Sequence, residues 1–260
     1  MPRWRLLLNR VGAAVLCVLL LLVLAAAGWR AFGVTVDASL PNFAHAGGAI
    51  DGQTYINGLD AFEQSYAKGY RVFEVDFSQT SDGSFVCSHD WKALGGKAPD
   101  LKGFLAWRGK LKYPPCTLDE LVGWFKQHPD TKLVSDAKID ILPVNTALEA
   151  ALPTQLIPEV YNSADLAAID RRGLKPILAL YKLSGVPSRL MNLQRAGGQP
   201  LTAVGMSPVD VWLGLALWAK LWNHVPVYVY TINNCNLVPS LRLMGADGIF
   251  TDTLGVRPCP

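Results

Sequence analysis

The feature that most narrows the fold of this chain is an alternation. Eight short apolar, β-branched runs, at 42–46, 72–77, 132–137, 156–161, 176–181, 202–206, 225–232 and 248–251, are separated by helix-like patterns at 59–68, 118–127, 144–151, 164–171, 188–194, 209–221 and 237–244. When a helix follows each strand, it carries the chain back to the edge where the strand began, so successive strands pair in parallel. Eight such units predict a closed (β/α)₈ TIM barrel, and the β-like run around Val86 adds an antiparallel hairpin arm. An open doubly wound sheet is the competing architecture, but the first strand–turn–helix, AHAGGAIDGQTYINGLDAF, has no G-x-G-x-x-G phosphate turn.

The stretch ahead of the barrel reads differently. Val11–Trp29 is uncharged and almost wholly apolar, and its nineteen residues at about 1.5 Å each approach the roughly 30 Å hydrocarbon thickness of a bilayer. Arg3, Arg5 and Arg10 precede this run and only Arg30 follows closely, so the positive-inside bias keeps the N-terminus cytoplasmic and exports the remainder. The expected plan is a basic cytoplasmic segment at 1–10, a transmembrane anchor at 11–29, a short linker at 30–41 and the barrel at 42–260. That is a single-pass protein of the cytoplasmic membrane with its domain on the outer side. A cleaved signal peptide is the alternative, with Ala25-Ala26-Ala27 as its small residues.

Beyond residue 30 the chain carries 20 Lys+Arg against 21 Asp+Glu. A nearly neutral domain without a basic cluster excludes nucleic acid as the expected partner, and no protein partner is inferable. Cys87, Cys116, Cys235 and Cys259 contain no C-x-x-C pair that suggests zinc. In an oxidising compartment they allow three disulfide connectivities, of which sequence proximity favours Cys87–Cys116 with Cys235–Cys259. Four buried thiols are the alternative.

A parallel barrel collects its chemistry at the C-terminal ends of the strands. His45 ends the first strand, Glu74 and Asp76 the second, Asp136 and Lys138 the third, Thr231 and Asn233 the seventh, and Thr251 and Asp252 the eighth. His128 and His224 immediately precede strands and are read as structural. Pivoting the arm on Ser81-Asp82-Gly83 sets Asp76 opposite His89, with Glu74 on the same face. Carboxylates one strand period apart suit a hard cation, Mg²⁺ or Ca²⁺, and an imidazole beside them can carry protons. Trp91, next to His89, is expected at the pocket mouth, where it can stack on substrate. Trp212, Trp218 and Trp222 are spaced to pack a helix onto the barrel.

Taken in order, these residues resemble the glycerophosphodiester phosphodiesterases, barrel enzymes related to phosphatidylinositol-specific phospholipase C. His45-Ala46-Gly47 is similar to the family's His-Arg-Gly, and Asn57 to its Asn before a helix. Glu74, Asp76, Asp82-Gly83 and His89-Asp90 match its Glu-x-Asp, Asp-Gly and His-Asp series. YPPCTLDELVGW is similar to its Pro-x-Leu-x-Glu helix entry, VSDAK to its Glu-x-Lys strand, and VYTIN with GADGIFTD to its ending. The resemblance implies a divalent cation on Glu74, Asp76 and Asp136, phosphate charge offset by Lys138, and His45 with His89 as the proton carriers. In the family the substrate's own glycerol hydroxyl is thought to attack first, giving a cyclic phosphate that water then opens. Two departures stand out. Ala46 replaces a phosphate-binding Arg, and Tyr55-Ile56 replaces a Pro-Glu that contributes a metal carboxylate. Asp51 is a candidate to restore that carboxylate, with a plain turn role as its alternative. The expected function is metal-dependent hydrolysis of a glycerophosphodiester or related lipid or glycan headgroup. A noncatalytic envelope-binding barrel, and a lyase or phospholipase D-type enzyme that stops at a cyclic product, are the competing readings.

Overall fold

The computed structural model describes residues 42–180, 183–256 and 259. Its strands are β1 (Phe43–Ala44), β2 (Val72–Gln79), β3 (Phe85–Cys87), β4 (Lys132–Ala137), β5 (Leu156–Val160), β6 (Ile177–Ala179), β7 (Ala203–Met206), β8 (Val227–Val229) and β9 (Gly248–Thr251). Its helices are α1 (Leu59–Ala67), α2 (Leu101–Arg108), α3 (Leu118–Gln127), α4 (Ile141–Ala151), α5 (Ser163–Asp170), α6 (Gly185–Arg195), α7 (Pro208–Trp212), α8 (Leu215–Asn223) and α9 (Val238–Leu243). All neighbours pair in parallel around the ring β1-β2-β4-β5-β6-β7-β8-β9, and β9 returns to β1. The expected barrel is therefore closed. β3 lies antiparallel on β2 as the added arm. Among the described residues no helix is long and apolar enough to cross a membrane. The run Val11–Trp29, on which the anchor expectation rests, lies outside them.

One residue from each of the eight barrel strands closes the interior: Phe43, Val72, Val134, Ile157, Ile177, Ala203, Tyr228 and Phe250 form a single buried cluster. Phe43 stacks on Tyr228 at 4.2 Å between ring centroids. Gly248 makes room for that tyrosine, since a Cβ there would sit 2.2 Å from its ring. The alternate residues Phe73, Val75 and Phe77 of β2 point outward into the second cluster, between the strands and the helices. Because side chains alternate across a strand, the residues two beyond this plug form the next interior layer, nearer the C-terminal ends. They are Glu74, Asp136 and Glu159 on β2, β4 and β5, His45, Tyr230 and Asp252 just past the ends of β1, β8 and β9, and the small Ala179 and Gly205 on β6 and β7. The apolar plug thus sets the floor of a polar cup.

Three local expectations are corrected. The arm pairs Phe77 with Cys87 and Ser78 with Val86, one residue out of the expected register, and β3 ends at Cys87. His89 therefore leaves the ladder instead of facing Asp76 across it. The pattern at 209–221 is two helices, because Gly214 adopts φ 83° between α7 and α8. The tryptophans of that region do not pack inward: Trp212, Trp218 and Trp222 are 46, 42 and 41 % exposed. The inward face of α8 is already filled by Leu215, Ala216 and Ala219. α2, which the sequence pattern does not mark, is capped by Asp100, whose side chain accepts from the Gly103 N–H.

The disulfides join Cys87 to Cys116 and Cys235 to Cys259, with Cα separations of 5.1 and 5.5 Å. The first ties the arm to the residue just ahead of Thr117, whose side chain forms a capping box with Glu120 at the start of α3. The Cys87 N–H also donates to the Cys116 carbonyl at 2.8 Å. A bond spanning 29 residues removes loop entropy from the unfolded chain worth about 3.6 kcal/mol. The Cys87→Ser/Cys116→Ser variant is expected to lose about that much stability by denaturant titration. An unchanged midpoint would show that the bond does not constrain the arm.

Candidate active site

His45 follows β1, and its ring is 12 % exposed. Nδ1 lies 2.8 Å from Asp252 Oδ1. Asp252 is held in turn by Asn233, which donates Nδ2–H to Oδ2 at 2.6 Å and accepts the Asp252 N–H at 2.8 Å. With Nδ1–H committed to Asp252, the tautomer is set and Nε2 is free to carry a proton. Nε2 stands 3.9 Å from Glu74 Oε2. Burial alone would lower the His45 pKa, but the hydrogen bond to Asp252 and the charges of Glu74, Asp252 and Asp76 raise it to about 9.

Glu74, Asp76 and Asp136 are buried, and each offers an oxygen within 4.8 Å of the others. Their supports differ. Glu74 Oε2 accepts the Ala46 N–H at 2.7 Å, while Oε1 is buried with no hydrogen-bond partner among the described residues. Asp76 is gripped by Asn57, which donates Nδ2–H to Oδ2 and accepts the Asp76 N–H, both at 2.9 Å. Asp136 accepts from the Tyr161 hydroxyl. Lys138 reaches Asp76 Oδ1 at 2.9 Å and pairs with Asp136 as well. Burial, then the neighbouring Asp76 charge, pushes Glu74 up to about 8. For Lys138, burial is outweighed by Asp76, Asp136 and Glu74, which hold it well above the ordinary lysine range. Three clustered carboxylates with one buried oxygen lacking a donor form a hard-oxygen set that fits a divalent cation.

The loop from Ala46 to Asn57 shapes the mouth. The Asn57 N–H closes it by donating to the Ala46 carbonyl at 3.0 Å, and Ala46, Tyr55 and Asn57 all adopt positive φ, at 47°, 57° and 50°. Non-glycine residues rarely hold that conformation, and such strain collects at functional sites. Its product is the placement of Tyr55, whose ring meets His45 at 4.8 Å and His89 at 5.1 Å, edge-on to both. The two histidines thus flank one tyrosine. The cavity holds about 170 Å³ and is lined by His45, Tyr55, Glu74, His89, Asp136 and Lys138, with Glu159, Tyr230, Thr231 and Phe250 completing the wall.

Most of the residues expected at the site converge here. His89, with its side chain 41 % exposed, reaches the rim and lies 3.2 Å from Asp90. Asn57 orients Asp76. Two expected residues stand elsewhere. Asp51 is exposed and bonded to Lys112 Nζ at 2.7 Å and to the Tyr113 hydroxyl at 2.6 Å, which leaves it in a turn outside the carboxylate cluster. Trp91 turns its ring edge to Phe104 of α2, at 6.2 Å, and is not among the described residues lining the cavity. Trp107 instead lines an adjoining groove with Tyr55 and His89. His128 donates Nδ1–H to the Trp124 carbonyl at 2.8 Å and stacks on that indole at 4.0 Å. His224 caps the end of α8. Glu159, Tyr161, Tyr230 and the Asn233–Asp252 pair carry no assigned role in the sequence reading. Counting two residues on from each plug position would have marked Glu159 and Tyr230; Asn233 and Asp252 are already placed at strand ends by the sequence.

The backbone agrees with solved structures over most of the chain. A glycerophosphodiester phosphodiesterase from Parabacteroides distasonis matches with a TM-score of 0.64 at 18 % identity, over 82 % of this chain and 92 % of that one. One from Agrobacterium tumefaciens matches at 0.60 and 13 %, over 82 % and 96 %. The fold is that of the glycerophosphodiester phosphodiesterases. An Oleispira antarctica phosphodiesterase, solved in complex with the product sn-glycerol-3-phosphate, matches at 0.60 and 20 %, over 82 % and 93 %. No protein-family model matches the sequence. In this glycerophosphodiester phosphodiesterase fold, the carboxylate cluster and both histidines lie at the C-terminal mouth of the barrel, where such folds carry their chemistry.

Proposed function

We propose that the protein hydrolyses a small phosphodiester of the glycerophosphodiester class, using a divalent cation, Mg²⁺ or Ca²⁺, held by Glu74, Asp76 and Asp136. The observation that carries this reading is the cluster of three buried carboxylate oxygens next to a histidine whose tautomer is fixed by Asp252. The cation, when bound, supplies neutralisation of charge on the phosphoryl oxygens. Lys138 adds a positive charge at the same wall. Of the two histidines, one takes the proton of the attacking oxygen and the other returns one to the leaving oxygen. Tyr55, between them, keeps bulk water and wide substrates from the gap. A volume of about 170 Å³ is below the roughly 300–1,000 Å³ of pockets that enclose drug-sized ligands, which favours a compact headgroup. The glycerol phosphate bound by the Oleispira protein supports the same class. We place the domain outside the cytoplasmic membrane, a reading supported by the arginine-flanked apolar run Val11–Trp29 and by two disulfides.

The test is a panel of glycerophosphodiesters followed by phosphorus NMR, with and without a chelator. Release of a phosphomonoester that stops on chelation is expected. A cyclic phosphate as the final product would reassign the protein to the lyase class, and binding without turnover would make it a noncatalytic barrel. Asp252→Asn, which loses the negative charge and one of the two oxygens that serve His45 Nδ1–H and Asn233 Nδ2–H, is expected to lower kcat about 10–100-fold with cation affinity nearly unchanged. A variant with wild-type kcat would remove Asp252 from the positioning of His45.

A further inference from the structure

The near-neutral balance of the barrel conceals a partition. Residues 42–170 contain 11 Lys+Arg and 17 Asp+Glu, net −6, whereas residues 171–246 contain eight Lys+Arg and a single carboxylate, Asp210, net +7. The second stretch forms one contiguous side of the barrel, β6 to α9, because β6, β7 and β8 are ring neighbours. Asp210 contributes no surface charge. It is fully buried, accepts from Ser207 in the capping box of α7 and is paired with Arg189. Arg172 and Lys220 are tied to Glu149 and Asp247, while Arg171, Lys175, Arg195 and Arg242 are exposed.

The same side exposes its apolar residues. Leu217, Trp218, Leu221 and Trp222 form one outward stripe of α8, each 38–53 % exposed, opposite the buried Leu215, Ala216 and Ala219. Trp218 and Trp222 stack at 4.4 Å. Trp212 and Leu213 extend the stripe at one end. α8 packs against α6 and α7, and α7 against α9, so the exposed Met191, Leu243 and Met244 belong to the same helical layer. A helix apolar on both faces lacks a partner on one of them, and an exposed apolar stripe of this kind marks an interaction surface.

We infer that this face docks on an anionic phospholipid surface, with the α8 stripe in the headgroup boundary and the arginines on lipid phosphates. Two observations select this occupant. Tryptophan and leucine on a cationic face whose carboxylates are paired with its own basic residues are the composition of interfacial helices. A second copy meeting the same face would set like positive charges against one another, and a polyanionic macromolecule has no use for the apolar stripe. A bilayer satisfies both features at once. α8 leads from the end of the barrel where β7 finishes to the end where β8 starts, so docking along it lays the barrel on its side, with the mouth opening along the surface.

The test uses the full chain, with Cys17→Ser and an environment-sensitive fluorophore on Leu217→Cys, reconstituted in vesicles of phosphatidylcholine alone or with a third phosphatidylglycerol. A second sample carries the label on Lys126→Cys, on α3 in the acidic half. In the anionic vesicles the 217 label is expected to shift to the blue and be quenched by brominated acyl chains, while the 126 label is not. Arg195→Ala and Arg242→Ala should each lower the docked-to-undocked ratio about fivefold. Equal emission at both labels, or at both lipid compositions, overturns the inference. A blue shift at 217 in lipid-free detergent that grows with protein concentration overturns it in favour of self-association.

Discussion

Replacing His45 by alanine is expected to lower kcat about 10²–10⁴-fold while leaving cation affinity almost unchanged, and His89→Ala is expected to do the same, because a general acid or base contributes about that much. The two histidines flank Tyr55 from different elements, which is the placement the proposed acid and base pair requires. Their double replacement should cost less than the product of the single effects, since both serve one proton-transfer cycle. His224→Ala is the control: this residue caps α8 just ahead of β8, at the opposite rim of the barrel. Steady-state kinetics on the three variants decides the matter. Changes of only a few-fold in His45→Ala and His89→Ala would reduce both to ordinary pocket histidines, and a large loss in His224→Ala would overturn the placement of the site.

Glu74→Gln is expected to abolish cation binding without unfolding the protein. Glutamine keeps the shape and one oxygen to accept the Ala46 N–H that Glu74 takes at 2.7 Å. It loses the negative charge on the oxygen that is buried without a partner. Titration calorimetry reads the binding. Thermal unfolding reads the linkage, since a ligand at about 100 times its Kd stabilises the native state by about 2.7 kcal/mol. Wild type should gain that increment and Glu74→Gln should not. pH adds an independent check without cation. Burial raises the Glu74 pKa from 4.5 to about 8, so the folded state holds a proton that the unfolded state releases across this interval. The contribution is fully present below about 4.5 and is lost as pH rises through about 8. Cation-free wild type should therefore lose stability over that range more than Glu74→Gln does. Unchanged calorimetric affinity in the variant would remove Glu74 from the cation set.

Much of this was open to reading before any coordinates. The alternation of eight β-branched runs with helical patterns implies parallel strands that close on themselves, and the boundaries of β4, β9 and α3 coincide with the sequence pattern. The strand period of two places Val72, Glu74 and Asp76 on one face, so a carboxylate pair suited to a cation and its apolar floor are legible from β2 alone. His45, Asp136 and Lys138 follow from the rule that barrel chemistry sits at strand ends.

Tertiary closure decided the remainder, because it brings together residues that no local spacing connects. Asp252 orients His45 across 207 residues of chain only because β9 pairs with β1. The arm register, and with it the release of His89 from the ladder, depends on how the turn at 80–84 closes: the Thr80 N–H takes the Ser84 carbonyl at 2.9 Å and the Thr80 hydroxyl meets Asp82. Tyr55 stands between the histidines on a loop with four positive-φ non-glycine residues, Ala46, Asp51, Tyr55 and Asn57, and backbone strain of that kind leaves no periodic trace. Trp91 does not line the cavity because α2, which the sequence pattern does not mark, supplies Phe104 as its packing partner. The tryptophans of α7 and α8 have a spacing that fits packing and exposure equally well. Which of the two holds was decided by Leu215, Ala216 and Ala219, which fill the inward face first and leave the indoles outside.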